Sequence, residues 1–259
     1  MKICALASGS AGNCYCLESA GAVIAVDCGL SATECARRMR ARGFEPAGLI
    51  GVLFTHNHID HVRGIEVLHR RFPQAGLFAN LMTAEAIAAG CGVDEGDFSV
   101  FENGQSFEVG PFKITAFPVP HDVPDPVGYM IEAEGVSYFH CTDCGSPLAS
   151  IGARLAGADV ATLEANHDPV LLANSARPPM LKQRIAGARG HLSNEQAAEL
   201  VRQFARGRLR RLMLAHLSRE CNAPHLARNA VAAALTAADC RGAELEILAQ
   251  DEPGTVWQC

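Results

Sequence analysis

The chain contains no run of 18 or more apolar residues, the length that a membrane-spanning helix requires. Near its first residue, small and polar residues at 8–13 interrupt the apolar stretch, which is not typical of a secretory signal peptide. We therefore expect a cytoplasmic protein that does not bind a membrane. Its 259 residues, 49% apolar and 19% charged, predict one globular domain spanning 1–259 with a large core.

A disulfide framework is not expected either. The 11 cysteines are odd in number and have no regular spacing, which is typical of a reduced cytoplasmic protein. One C-x-x-C motif, Cys141-Thr-Asp-Cys144, is compatible with redox activity or zinc binding, but no second C-x-x-C accompanies it. We favour the interpretation that the cysteines are small core or surface residues.

Basic charge and aromatic residues are both scarce, and both matter for nucleic-acid binding. The net charge is −6 and aromatic residues make up 6% of the chain, so a basic surface with many stacking platforms is not expected. Arginines nevertheless cluster at 37–42 and at 202–211. Each cluster is more typical of a solvated helix face, although local contacts with phosphate stay open because salt screens distant charges.

Metal-binding side chains are concentrated in one stretch, Phe54-Thr-His-Asn-His-Ile-Asp-His61. The apolar run before it predicts a buried strand, and the stretch itself predicts a loop that leads into a helix over about 62–71. In an extended loop His56 and His58 can face one point, while Asp60 and His61 can face a second. Nitrogen and oxygen donors without a thiolate favour Zn²⁺, Mn²⁺ or Fe²⁺. The stretch therefore predicts a metal site rather than a solvated loop.

Other predicted strands also end in polar residues. A carboxylate that closes a buried strand needs a partner, because burial of an unpaired charge is costly. If strands and helices alternate, the polar segment 164–168 lies on the same edge as the histidine stretch. The other polar strand ends are at Asp27, His121, Asp143 and His216.

The H-x-H-x-D-H array at 56–61 closely resembles the signature of the metallo-β-lactamase superfamily. The resemblance implies an α+β fold, a four-layer αββα sandwich with a dinuclear metal site at the sheet edges. It implies that two divalent ions, Zn²⁺, Mn²⁺ or iron, activate a bridging hydroxide for hydrolysis without an organic cofactor. The implied ligands are His56, His58 and His121 for one ion, Asp60, His61 and His216 for the other, and Asp143 for both. The implied role of Asp27 is to orient the histidine loop.

Several further segments resemble one branch of this superfamily, the YycJ/WalJ-like branch. That branch consists of small bacterial metallohydrolases regarded as 5′-to-3′ DNA exonucleases. Ala11 and Ala215 depart from the expected pattern, which has serine at both places. The segments that carry the resemblance are 8–13, 164–168, 181–185, 190–194 and 216–224.

The resemblance implies a phosphodiesterase or nuclease whose substrate is nucleic acid, DNA rather than RNA. The alternative is a hydrolase of small esters, thioesters or cyclic phosphodiesters, which the pI near 5.9 and the low aromatic content favour. The full ligand set, with both His61 and Asp143, differs from the usual lactamase sites and suits an ester or phosphodiester. The oligomeric state is not predicted.

A phosphodiesterase needs donors around the non-bridging oxygens and a proton source for the leaving oxygen. His191 and His167 are both candidates for the proton donor, and the alternative for each is that it orients a ligand or caps a helix. Asp60 is also expected to take part in catalysis. The residues expected to bind substrate are Ser8, Ser10, Asn13, Lys182, Arg184, Ser193, Asn194, Ser218 and Asn222.

Overall fold

Fourteen strands form two mixed sheets of seven strands each in the computed structural model, which describes residues 1–259. Sheet 1 contains β1 (Lys2–Ala7), β2 (Cys14–Ser19), β3 (Ala22–Val26), β4 (Leu49–Leu53), β5 (Gly76–Asn80), β6 (Phe98–Phe101) and β14 (Trp257–Gln258). Sheet 2 contains β7 (Ser106–Val109), β8 (Phe112–Pro118), β9 (Val127–Ala133), β10 (Val136–Cys141), β11 (Val160–Glu164), β12 (Arg211–Ala215) and β13 (Glu244–Ile247). In each sheet the spatial order follows the chain, except that β14 pairs with β1.

Nine helices cover the outer faces of the two sheets and the edge that carries the site. They are α1 (Ala32–Ala41), α2 (Ile59–Val62), α3 (Ile65–Arg71), α4 (Leu81–Ala88), α5 (Ala149–Leu155), α6 (Pro169–Asn174), α7 (Pro179–Ala186), α8 (Asn194–Phe204) and α9 (Pro224–Ala237). No helix combines the length and apolar character needed to cross a membrane.

Alternating apolar positions in the strands explain the layers. In β1, Ile3 and Ala5 join the core between the two sheets, whereas Cys4 and Leu6 join the core between sheet 1 and its helices. Successive side chains of a strand point to opposite faces, so both faces of the sheet are buried. A third core lies between sheet 2 and helices α5, α8 and α9. The predicted four-layer αββα sandwich is confirmed, and the apolar layer shared by both sheets supports our proposal of one domain over 1–259.

In each sheet, the loops that carry the site follow strands that run in the same direction. Strands β3 to β6 are parallel in sheet 1, and strands β10 to β13 are parallel in sheet 2. Strand β8 has the direction of β10, because both are antiparallel to β9. In such a sheet the carboxyl ends of the strands are the usual place for a ligand. The polar residues that end these strands therefore converge on one edge of the sandwich.

The structure differs from the sequence-based expectation in two of its helical regions. The helix expected over 62–71 is two helices, because Gly64 donates its N–H to the carbonyl oxygen of Cys28 at 2.9 Å. A Cβ at this glycine would lie 2.1 Å from the carbonyl oxygen of Leu30. The short helices α5, α6 and α7 were not predicted, since segments of six to eight residues have little helical periodicity to recognise.

A second close backbone contact, at Gly29, yields a prediction about the site. A Cβ on Gly29 would lie 1.7 Å from the carbonyl oxygen of Asp60, so Gly29→Ala must displace the loop that carries Asp60. We expect a loss of about 1–3 kcal/mol in the free energy of unfolding, measured by urea denaturation, together with reduced metal content. Gly90→Ala is the control, since nothing lies within 4 Å of that Cβ. Equal metal content in the two variants would contradict the prediction.

Candidate metal centre

The seven predicted metal ligands lie together at the carboxyl ends of the strands. Their donor atoms form overlapping groups in which all donor atoms of a group lie within 4.8 Å of one another. Neighbouring groups share His61, His56, Asp143 or His216, so the donors form one continuous set, which we call the cluster. The groups are His56, His58 and His121; His56, His61 and Asp143; Asp60, His61 and His216; and Asp143, Glu164, His191 and His216.

Asp27 orients the histidine loop from behind, at the end of β3. Its carboxylate is fully buried and accepts hydrogen bonds from the N–H of Thr55 at 2.9 Å and from the Thr55 hydroxyl at 2.9 Å. The second oxygen lies 2.7 Å from Nδ1 of His61. This contact fixes the ring of His61 so that its Nε2 lies in the cluster, 3.2 Å from Oδ2 of Asp143. Asp27 therefore acts on the cluster through His61.

The electrostatics of the cluster favour a bound cation. Burial by itself lowers the pKa of His61, but the carboxylates of Asp27 and Asp143 outweigh this effect and raise it to about 10. Burial likewise raises the pKa of Asp143, yet the neighbouring His216 and His61 hold it well below its usual range. Buried carboxylates that keep protons on neighbouring imidazole rings attract positive charge. A metal ion displaces such protons when it binds.

Asp143 provides the clearest test of whether the residues fit a metal ion. Its Oδ2 is buried and has no hydrogen-bond partner, although Nε2 of His61 is only 3.2 Å away. Its Oδ1 lies 3.6 Å from Nε2 of His216 and 3.9 Å from Nε2 of His121. Contacts that are short but poorly aligned are expected when donors are directed at a common point rather than at one another. The histidine and carboxylate donors therefore fit divalent metal ions.

Three of these residues have a left-handed backbone conformation. The φ angles of Asp27, Asp143 and His216 are 60°, 53° and 57°. Such angles are uncommon outside glycine and persist only where the surroundings enforce them. At His216 two contacts do so: its N–H donates to the Ser8 hydroxyl at 2.8 Å, and its carbonyl oxygen accepts from Nδ2 of Asn166 at 2.8 Å. The strand ends are thus bent to direct their side chains into the cluster.

Glu164, at the end of β11, lies against the cluster, and the sequence-based reasoning assigned it no role. It is fully buried and accepts hydrogen bonds from the N–H groups of Cys144 and Leu192, both at 2.9 Å. Its Oε1 lies 2.8 Å from Nδ1 of His191. Burial lowers the pKa of His191, but the charge of Glu164 outweighs it and raises the pKa above its usual value. The signal in the sequence was the same as for Asp27, a carboxylate that closes a buried strand.

The two candidate proton donors lie in different places. His191 lines a cavity beside the cluster, which we call the adjoining cavity. His167 lines a separate cavity on the side of α6 and α7, where Lys182 is also found. The ammonium group of Lys182 donates a hydrogen bond to the carbonyl oxygen of Ala173 at 2.7 Å. The structure therefore brings His191 to the cluster and does not bring His167 or Lys182 to it.

The remaining residues expected to bind substrate divide into two groups. Ser10, Arg184 and Ser218 line the adjoining cavity. The others are buried and bonded within the protein. Ser8 accepts from the Tyr15 hydroxyl at 2.8 Å, and Asn13 accepts from the N–H of Gly9 at 2.8 Å. The buried group consists of Ser8, Asn13, Ser193, Asn194 and Asn222.

Ser193 and its neighbours have structural contacts that explain their burial. Its hydroxyl caps α8 by accepting the N–H of Gln196 at 3.2 Å. The side chains of Asn194 and Asn222 bond to each other in both directions at 2.9 Å. These five buried residues support loops of the site, and Asn13 also reaches the cluster, with its Nδ2 3.0 Å from Nε2 of His61. Contact of these residues with substrate stays a prediction.

No arginine of the two clusters lines the adjoining cavity. In the first, Arg38 is buried and donates to the carbonyl oxygen of Leu6 at 2.8 Å. In the second, Arg211 is buried and paired with Glu244 at 3.0 Å, while Arg208 pairs with Asp159 at 2.6 Å. These contacts favour the interpretation of structural and solvated arginines over a phosphate groove.

The C-x-x-C motif flanks Asp143 but takes no part in the cluster. All cysteines are free thiols, and Cys141 and Cys144 are both buried. The groups of potential metal ligands contain no cysteine. The motif is best explained as packing around the end of β10.

Two curated proteins that are similar to this chain are named exodeoxyribonucleases. The exodeoxyribonuclease WalJ of Streptococcus pneumoniae is 34% identical over 241 residues, which cover 92% of this chain and 89% of WalJ. The exodeoxyribonuclease YycJ of Bacillus anthracis is 29% identical over 231 residues, covering 89% of this chain and 87% of YycJ.

Solved structures show the same fold at lower identity. The metallo-β-lactamase fold protein YhfI of Bacillus subtilis has a TM-score of 0.72 at 19% identity, covering 99% of both chains. Zn²⁺-bound PqqB of Methylobacterium extorquens has a TM-score of 0.71 at 17% identity, covering both chains completely (100%). The family model of the beta-lactamase superfamily domain matches residues 23–217. With this match and the curated relatives, the chain belongs to the metallo-β-lactamase superfamily, as its H-x-H-x-D-H array predicted.

Proposed function

We propose that the protein is a dinuclear metal-dependent phosphodiesterase that removes nucleotides from the end of a DNA strand, in the 5′-to-3′ direction. The observation that carries the proposal is the 34% identity, over 92% of the chain, to a protein named exodeoxyribonuclease. The geometry supports it, because the cluster is bordered by a cavity that contains two arginines. Arginine forks are suited to the oxygens of phosphate.

The donor groups divide between two metal positions. His56, His58 and His121 would hold one ion, whereas Asp60, His61 and His216 would hold the other, with Asp143 shared by both. Zn²⁺ suits the histidines, and Mn²⁺ or Fe²⁺ suits the carboxylates. When bound, two such ions supply Lewis acidity toward the phosphoryl oxygens and make water more acidic.

The side chains of this protein hold and move protons around that centre. Asp27 fixes the ring of His61 through its Nδ1 at 2.7 Å. Glu164 does the same for His191 at 2.8 Å, which leaves Nε2 of His191 as the nitrogen available to a ligand in the adjoining cavity. From there His191 gives a proton to the leaving oxygen, the usual task of a general acid.

A hydrolase of small esters, thioesters or cyclic phosphodiesters is the second candidate. The lining of the adjoining cavity contains no Phe, Tyr or Trp side chain on which a base would stack. The net charge of −6 also gives no overall attraction to nucleic acid. The nuclease proposal is the stronger one because the named relatives match along most of the chain.

A direct assay tests the proposed activity. Metal-free protein is reconstituted separately with Mn²⁺ and with Zn²⁺, then supplied with 5′-phosphorylated single- and double-stranded DNA, RNA and bis(p-nitrophenyl) phosphate. We expect stepwise loss of nucleotides from DNA and no activity in Asp60→Ala, because Asp60 belongs to the metal cluster. Cleavage of the small diester alone, or of none of these substrates, would favour the second candidate.

Comparison of two histidine variants tests the assignment of the proton donor. His191→Ala removes the imidazole held by Glu164 beside the cluster, and we expect turnover to fall by about 10²–10⁴-fold with metal content unchanged. His167→Ala is the matched variant, and we expect near-normal turnover because His167 lines a separate cavity. Steady-state rates and metal analysis of both variants provide the measurement. A larger loss in His167→Ala than in His191→Ala would reverse the assignment.

A further inference from the structure

A cleft opens between the two sheets on the flank formed by β6 and β7. Its volume is about 410 Å³, and it is lined by Phe78 and by residues between 99 and 108; we call it the edge cleft. Strands β6 and β7 are each the last strand of their sheet, with a neighbouring strand on one side only. The open side of such a strand presents backbone N–H and C=O groups that no other strand satisfies. The edge cleft shares no residue with the cluster or with the adjoining cavity.

Three phenyl rings line the edge cleft. Phe101 stacks on Phe107 with ring centres 4.8 Å apart, and Phe107 stacks on Phe78 at 5.9 Å. Phe101 is buried in the apolar layer between the sheets, and the partly buried Phe78 and Phe107 pack against that layer. Val100 extends this surface and is 52% exposed. The edge cleft is therefore a place where the core between the sheets reaches solvent, and an apolar side chain bound there would remove this surface from water.

The edge cleft lies in the most acidic part of the chain. Residues 72–112 contain six carboxylate side chains and no lysine or arginine. The whole chain has 28 acidic and 22 basic residues, so without these six the two signs are balanced at 22 each. This segment therefore accounts for the entire net charge of −6. Its acidic residues are Glu85, Asp94, Glu95, Asp97, Glu102 and Glu108.

Glu102 and Glu108 bring that charge to the edge cleft itself, where both are exposed. Glu102 accepts a hydrogen bond from the neutral amide of Gln105 at 2.5 Å, which does not balance its charge. Lys113 is opposite Glu108 in the register of β7 and β8, but its ammonium group lies 3.5 Å from Glu132. Neither glutamate of the edge cleft thus forms an ion pair within the chain.

The backbone, the rings and the charges of the edge cleft suit the same kind of ligand. An open strand edge accepts an extended peptide, which adds to the sheet through backbone hydrogen bonds. The phenyl rings favour an apolar side chain, and the faces of such rings also attract cations. The carboxylates attract lysine and arginine, and they repel the phosphates of nucleic acid.

We propose that the edge cleft binds an extended basic segment of a partner protein. Apolar and basic side chains alternate in such a segment, because successive residues of a strand point to opposite faces. The apolar side chains contact the phenyl rings, and the basic ones pair with Glu102 and Glu108. The proposal does not depend on the reaction at the metal cluster, since the bound segment uses none of the residues that form or border that cluster.

Three fluorescent heptapeptides are the probes. The first is Lys-Val-Lys-Phe-Lys-Val-Lys, the second has glutamate in place of every lysine, and the third has serine in place of every apolar residue. Fluorescence anisotropy measures their binding to the unmodified protein, to Val100→Ser and to the double variant Glu102→Gln with Glu108→Gln. The matched control is Glu45→Gln with Glu252→Gln, which removes the same charge from exposed glutamates outside the edge cleft. Thermal unfolding of each variant shows that the fold is retained.

We expect the unmodified protein to bind the first peptide most tightly. The double variant should bind it about 3–30-fold more weakly, the range for the loss of two exposed ion pairs, and added salt should reduce this difference. Val100→Ser should weaken binding of the first peptide but not of the third, and the control should match the unmodified protein. Equal affinity for the lysine and glutamate peptides, or equal affinity of the double variant and its control, would overturn the proposal.

Two further measurements test how the edge cleft is occupied. Hydrogen exchange of the amides in β6 or β7 should slow when the first peptide binds, because the open edge becomes paired; unchanged exchange in both strands would overturn the proposal. Sedimentation velocity tests a second copy of the chain as the occupant. We expect the first peptide to leave the oligomeric state of the unmodified protein unchanged. Dissociation of an oligomer by this peptide would identify a second copy and overturn the assignment to a partner protein.

Discussion

Three carboxylates buried at the ends of β-strands are the constraint on which the rest of this structure depends. Asp27, Asp143 and Glu164 are each almost completely removed from solvent. A buried charge without a partner is destabilising, so each must be matched by hydrogen bonds and by positive charge. Backbone N–H groups satisfy part of this need at Asp27 and Glu164, and histidines face all three. At Asp143 one carboxylate oxygen has no hydrogen-bond partner. A bound metal ion would balance its charge.

The arrangement of strands in the sandwich brings these carboxylates together. Parallel strands in both sheets end at one edge, and close backbone contacts hold the loops there in place. Gly29 and Gly64 allow the segment after β3 to pack against the histidine loop without space for a side chain. The left-handed conformations of Asp27, Asp143 and His216 then turn their side chains inward. Core packing, backbone strain and metal chemistry are thus linked through the same few residues.

The sequence was sufficient to predict those parts of the site that a local pattern determines. The H-x-H-x-D-H array, together with the family resemblance, predicted the sandwich and the superfamily, and both are confirmed. The convergence of His121, Asp143 and His216 with this array could be expected because each follows a strand. The break at Gly64 was not predicted, since the N–H of Gly64 donates to the carbonyl oxygen of Cys28, more than 30 residues away along the chain.

Roles that depend on distant partners were beyond the sequence. Ser8 and Asn13 make contacts that the sequence does not show: the Ser8 hydroxyl accepts the N–H of His216, and Nδ2 of Asn13 lies 3.0 Å from Nε2 of His61. Their contact with substrate stays a prediction. The contact of Glu164 with His191 joins residues far apart in the chain, and the only local signal for it is a carboxylate at the end of a predicted strand. The burial of a side chain and its hydrogen-bond partners are properties of the folded state.

The central claim is that one set of seven side chains binds two metal ions around Asp143. Anomalous diffraction at the absorption edge of the loaded metal, from crystals of the reconstituted protein, tests it most directly. The account predicts two peaks, one among His56, His58 and His121 and the other among Asp60, His61 and His216, with Asp143 in contact with both. A single peak, or peaks that do not contact Asp143, would contradict it.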